Sequence, residues 1–275
     1  MSPSSRRNPE LVPSIVAAVD SVTGPVCSYG RRDHRRQETP HVFRYDRAVL
    51  ERYPTIHAGV VHLEGIPDAP ASPALGDRYR AAQSEVAQRL VTTPIAALPP
   101  IAAWRRAFAG FGAKPTQYRC AAEALLRRLS RHGELPSVNA LVDIGNLVSI
   151  RYALPVAVVD LAGVAAPITV RFATGSEPFT DLGGAPAGTP EPGEVVFVDR
   201  EEVACARRWC WRQSAQSAAR PGTREALVIV EGLHEGAEAD VAAAREELVA
   251  LLARFRPASR VTTYGLSARQ PAVTG

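Results

Sequence analysis

Three polar residues, Asn139, Asp143 and Asn146, sit at i, i+4 and i+7 in the run "LPSVNALVDIGNLVSIRYALPVAVVD". That spacing puts an amide, a carboxylate and an amide on one stripe of a helix whose other positions, such as Val138, Leu141, Val142, Ile144 and Val148, are apolar. Such a stripe can satisfy buried backbone groups, or it can bind a polar substrate. A second cluster, "RRWCWRQS", sets Arg207, Arg208, Arg212 and Gln213 around Trp209 and Trp211. An arginine between aromatic rings suits a carboxylate, a phosphate or an RNA terminus. The two tryptophans, one residue apart on an expected strand, read either as core or as pocket wall.

The familiar catalytic kits are missing. The four cysteines, Cys27, Cys120, Cys205 and Cys210, form no CxxC, and the six histidines show no HExxH. No GxGxxG follows a strand, and neither a phosphate-binding GxxxxGK[ST] loop nor a GxSxG nucleophile turn occurs. No metal site is expected, and no catalytic side chain is assigned; any chemistry must rest on a shaped pocket.

Positioning these groups takes one sizeable core, which 275 residues at 46% hydrophobic content can supply. Residues 1–40 read as a partly disordered arm, 41–256 as one domain and 257–275 as a tail. Within the domain, "YDRAVLERYP" predicts a short helix and "TIHAGVVHLEGI" a strand. Three amphipathic helices follow. The first buries Leu75, Tyr79, Ala82, Val86 and Leu90, and the second Ile101, Trp104 and Phe108. The third has Thr116 as N-cap and Gly133 as C-cap.

After the helix predicted over 138–152 the period changes from 3.6 to 2. Strands are expected at "VAVVDL", "PITVRFAT", "GEVVFVD", "EVACARRWCWRQ" and "ALVIVEGLH", then a helix at "EADVAAAREELVALLARF" and an edge strand at "SRVTTYGL". Helices first, strands second and a closing helix predict an α+β fold, with helices packed on a mixed sheet folded partly over itself.

Net charge is +4, and Lys114 is the single lysine among 32 basic residues. Abundant arginine with many alanines reads equally as a compositional bias and as a nucleic-acid footprint. Arg127, Arg128, Arg207 and Arg208 are the candidate phosphate contacts, with Arg105 and Arg106 beside them. The absence of an apolar leader and of a long apolar run predicts a cytoplasmic protein with no membrane partner.

The run from Leu135 to Leu161 resembles the B3/B4 editing domain of the bacterial phenylalanyl-tRNA synthetase beta subunit. Pro136, Asn139, Val142, Asp143, Ile144, Asn146, Pro155 and Asp160 fall in register with it. "PITVRFATGSEPFTDLGG", "PGEVVFVD" and "TREALVIVEG" resemble its later segments in order, and "RRWCWRQS" resembles a tryptophan-arginine motif of freestanding B3/B4 proteins. The resemblance implies a tRNA or aminoacyl-tRNA partner, no DNA, and no metal or organic cofactor. It implies trans-acting hydrolysis of mischarged aminoacyl-tRNA, or else a non-catalytic module that binds tRNA or an aromatic amino acid.

By resemblance, Glu231 takes the place of a glutamate that reads a substrate phenol. Asn146 is the other member of the substrate-binding set; Arg212 and Gln213 are candidates to replace family groups absent here, with Trp211 as a candidate pocket wall. The sequence departs from the family at Ala157, where a site histidine is expected, and at "CWRQSAQSAA", which replaces a glycine-rich turn. Alternation along "LVIVEG" puts Leu227, Ile229 and Glu231 on one face of a strand. Glu177 and Asp160 read as turn residues, and His57, His62 and His234 as structural.

Overall fold

The computed structural model describes residues 42–184 and 187–273; the N-terminal arm expected over 1–40 lies outside the described residues. Strand β1 (Phe43–Tyr45) leads into helix α1 (Arg47–Arg52), which Asp46 caps by accepting from Ala48 N. Strand β2 (His57–Glu64) precedes α2 (Pro73–Thr92), whose N-cap Ser72 accepts from Leu75 N. Leu75, Tyr79, Ala82 and Val86 of α2 are buried, as their spacing predicts; Leu90 is only partly covered. Helix α3 (Pro99–Gly110) buries Ile101, Trp104 and Phe108.

Helix α4 (Ala121–His132) starts later than its sequence suggests, with Cys120 rather than Thr116 at the N-cap. The reason is tertiary. Its first amide, Ala121 N, donates to the Cys210 carbonyl at 2.9 Å, so no capping side chain is needed there. Gly133 closes the helix at φ 78°, as expected.

Helix α5 (Ala140–Tyr152) is the centre of the molecule, and every residue from Ala140 to Ile150 is buried. Gly145 lets it approach strand β3 (Val156–Asp160) closely, since a Cβ there would lie 3.0 Å from Val158 and 3.4 Å from Val156. The remaining elements are β4 (Ile168–Phe172), β5 (Val195–Val198), β6 (Ala204–Arg207), β7 (Arg212–Gln213), β8 (Glu225–Gly232), α6 (Ala237–Phe255) and β9 (Arg260–Ser267).

The fold is α+β, with the strands divided between two sheets. One runs β1-β4-β5-β6-β7, parallel between β1 and β4 and antiparallel elsewhere. The other, β3-β8-β2-β9, is antiparallel throughout. The segment expected as a C-terminal tail is largely structural. Strand β9 pairs with all of β2, and Tyr45 N and Val273 N tie β1 to the end of the chain through Pro271 O (2.9 Å) and Phe43 O (3.0 Å).

The single strand expected over "EVACARRWCWRQ" is two strands. Arg208 and Trp209 adopt left-handed backbone, φ 43° and 59°, and the chain turns there between β6 and β7. Trp209 and Trp211 therefore do not share a strand face.

Candidate functional site

The two sheets meet at the end of β8. Glu231 pairs with Ala58 of β2, and its amide donates to Pro155 O, just ahead of β3, at 3.2 Å. Its side chain turns toward the other sheet and is 2% exposed. Oε1 accepts the Tyr45 phenol at 2.5 Å and the Trp209 indole N–H at 2.9 Å. Among the described residues, Oε2 accepts no hydrogen bond. Gln213, from β7, crosses the same seam by donating to Val158 O (2.9 Å) and Ser217 O (2.6 Å).

A cavity of about 10 Å³ lies at this seam, walled by Ala157, Val159, Phe197, Trp209, Gln213 and Glu231 among others. That is at the threshold for one water molecule. Ala157, where a site histidine was expected, forms part of the wall.

Burial sets the chemistry of Glu231. Removal from water raises its pKa from 4.5 to about 7, and the hydrogen bonds from Tyr45 and Trp209, which favour the carboxylate, hold it from rising further. The same burial pushes the thiols of Cys205 and Cys210 upward, so they stay protonated and poor as nucleophiles at neutral pH. Trp209 is fully buried, with its ring edge-on to Trp104 (5.0 Å) and Tyr53 (5.1 Å). Its ring packs in the core, while its N–H meets Glu231 and the residue lines the cavity.

The polar stripe has a different task. Asn139 caps α5 by accepting from Val142 N at 3.1 Å and donates to Ala219 O at 3.0 Å. Asp143 accepts from Ser137 Oγ at 2.5 Å and Val138 N at 2.9 Å. Asn146 faces Tyr79 of α2 and does not line the Glu231 cavity. Asn139 and Asp143 bind the entry of α5 to its surroundings.

The arginines are also placed differently from expectation. Arg207 and Arg208 are 8% and 9% exposed and flank the buried Glu194, at 3.2 Å and 3.6 Å. Arg208 lies 3.9 Å from the Tyr118 ring and 4.7 Å from that of Trp211. These two residues anchor the turn that carries Trp209 rather than a phosphate-facing surface. Arg212 pairs with Asp181 at 2.5 Å and stacks on Trp211, and neither Arg212 nor Trp211 lines the cavity.

On α3 and α4 the basic residues are more open. Arg106 is exposed, and Arg127 is partly so while bonded to the buried Glu123 at 2.8 Å. Arg105 reaches the same carboxylate at 3.7 Å.

Glu177 organises its turn. It accepts from Arg171 (2.6 Å) and from the amides of Thr174 (2.8 Å) and Gly175 (3.0 Å). Burial opposes its charge, but these bonds bring its pKa down to about 2. Asp160 caps the following turn through Ala162 N at 2.9 Å, as expected. His62 and His234 have the acid partners Glu225 (2.8 Å) and Asp240 (2.7 Å).

Sequence reasoning missed Tyr45 as the partner of Glu231. The sequence reads that residue as the start of a helix. The only signal was the alternation of Phe43, Arg44 and Tyr45, three residues long and too short to read.

A family model described as the B3/4 domain matches residues 103–254, more than half of the chain. The chain belongs to the B3/4 domain family. No curated protein matches it. Among solved structures it is similar to an N-terminal fragment of the phenylalanyl-tRNA synthetase beta-subunit from Pyrococcus horikoshii, at 11% identity and a TM-score of 0.45. That likeness covers 84% of this chain and 53% of the other, so the B3/4 protein spans about half of that fragment. The matched segment of the B3/4 domain contains α5, the Arg208–Trp209 turn and Glu231. Tyr45 is supplied from outside it. Among the described residues no helix is long and apolar enough to cross a membrane.

Proposed function

We propose that this B3/4 protein acts on aminoacyl-tRNA and hydrolyses the ester of a mismatched amino acid in trans. The observation that carries the reading is Glu231, a buried carboxylate with a pKa of about 7 beside a cavity at the one-water threshold. A carboxylate poised near working pH is suited to general-base work. In the proposed step, a water attacks the ester carbonyl while Glu231 takes its proton. Glu231, now protonated, returns that proton to the departing 3′ ribose oxygen as its bond to the acyl carbon breaks. Positioning and local electrostatics accelerate an already activated ester without a side-chain nucleophile.

Glu231, with Gln213 beside it, is the centre of the proposed site. Tyr45 and Trp209 position the carboxylate. Asn146, Trp211 and Arg212 enter the proposal only as supports of the surrounding structure. RNA phosphate contact is assigned to the α3–α4 face, at Arg105, Arg106 and Arg127; Arg128, beside Tyr79 of α2 with its Nε buried, is not part of that face. Single-turnover deacylation by wild type and Glu231→Gln tests this. The wild-type rate should climb with pH up to about 7 as the carboxylate ionises, and the variant should lose that limb.

Two observations favour a second reading, a tRNA-binding module without turnover. The cavity is far smaller than an amino-acid side chain, and one oxygen of Glu231 is already taken by Tyr45 and Trp209. Filter binding with undiminished ester lifetime would select this reading.

A further inference from the structure

A larger cavity, of about 240 Å³, shares no lining residue with the one at Glu231. Its walls are the loop after β2 (residues 66–71), the start of α5 (residues 137–141), the turn before β8 (residues 220–223) and Arg256 beyond α6. Part of the lining is apolar, from Ile66, Pro67, Pro70 and Leu141. The volume approaches the lower end of small-molecule pockets, roughly 300 Å³.

The charges in this cavity do not balance locally. Asp68 is engaged by Arg224 at 2.9 Å, and Arg220 lies 3.6 Å from Asp160. Arg256 is 7% exposed. Its guanidinium donates to two neutral carbonyls, Phe255 O at 3.0 Å and Ala69 O at 3.2 Å. Among the described residues no carboxylate lies within ion-pair distance of it. A buried cation with only neutral partners is costly to keep charged, and burial indeed depresses the Arg256 pKa.

Further donors share the cavity. A guanidinium carries five N–H groups, so two bonds leave three. The Ala140 and Leu141 amides of the first turn of α5 have no acceptor among the described residues, while Asn139 Oδ1 is used by Val142 N. Asp143, the acid of that turn, is committed to Ser137 Oγ and Val138 N. The local excess is thus of cation and N–H donors.

We propose that this cavity binds an oxyanion, a phosphate or carboxylate group, held by Arg256 and the first turn of α5 with Arg220 at its exposed edge. The proposal stands apart from the reading of Glu231 and survives or fails without it.

The test titrates the full-length protein with inorganic phosphate at constant ionic strength, following ³¹P line width and melting temperature. Saturable binding that raises the melting temperature is expected. Arg220→Gln and Arg256→Gln should each weaken it by about tenfold or more, the loss of a charge-assisted hydrogen bond. Because Arg256→Gln alters a buried position, Ala140→Pro serves as the second variant. Proline is tolerated at the first helical position and removes only the amide donor, and the extended backbone of Asn139 (φ −158°, ψ 166°) accepts a following proline. That variant should keep its circular dichroism and lose several-fold in phosphate affinity. Uncharged tRNA as competitor identifies the source of the group. Displacement of phosphate places it on RNA, and joint binding places it on a free small compound. Wild type showing no saturable phosphate binding would overturn the proposal, as would affinity unchanged in the folded Arg220→Gln and Ala140→Pro variants.

Discussion

Replacing Glu231 by glutamine should change how stability depends on pH, and the size of the change follows from the site. The folded pKa is about 7 against 4.5 for the free side chain. Between those values the folded protein keeps a proton that the unfolded chain has released. Stability therefore falls as pH rises through that window, by about 1.4 kcal/mol per unit, and levels off above about pH 7. A difference of about 2.5 units gives a loss of about 3 kcal/mol. Glutamine keeps an acceptor for Tyr45 and Trp209 but cannot ionise. Urea unfolding from pH 4.5 to 8 should show the variant gaining about 3 kcal/mol relative to wild type. Asp143 and Glu177 titrate in both proteins, so their effects cancel in the difference. Parallel curves for the two proteins would refute the assignment of a buried, protonatable Glu231.

Tyr45→Phe removes a donor that favours the carboxylate, so the same window should extend to higher pH; an unmoved upper limit would deny the contact. Arg207→Ala strips a partner from the buried Glu194 and should cost about 3 kcal/mol in denaturant unfolding, with no change in the salt dependence of tRNA binding. Arg106→Glu on the exposed α3 face should instead flatten the slope of log affinity against log salt by about one. Asn139→Ala deletes a helix cap and a bond to Ala219, which should lower stability by about 1 kcal/mol.

The sequence was most legible where periodicity was long. Helices α2, α3, α5 and α6 follow their apolar spacing, and Gly133 ends α4 as its type suggests. Alternation along "LVIVEG" placed Glu231 on a face with apolar neighbours, and the structure buries it. What could not be read were contacts made across the fold. The start of α4 depends on a carbonyl of Cys210, some ninety positions away. The turn at Arg208 and Trp209 uses left-handed backbone without glycine, held by Glu194 beneath it, and an alternating sequence there reads as continuous strand. The Tyr45 and Trp209 bonds to Glu231 join segments that carry no local signal of each other. The polar stripe was visible as a stripe, but its purpose, closing the entry of α5, depended on partners at Ala219 and Ser137.

The central claim, hydrolysis of aminoacyl-tRNA in trans, is tested most directly by incubating the purified protein with a panel of correctly and incorrectly charged tRNAs. Release of free amino acid is then followed against the spontaneous rate. The account predicts that at least one mischarged tRNA is deacylated well above that rate by wild type and not by Glu231→Gln. Spontaneous rates across the whole panel, or equal acceleration by the variant, would contradict it.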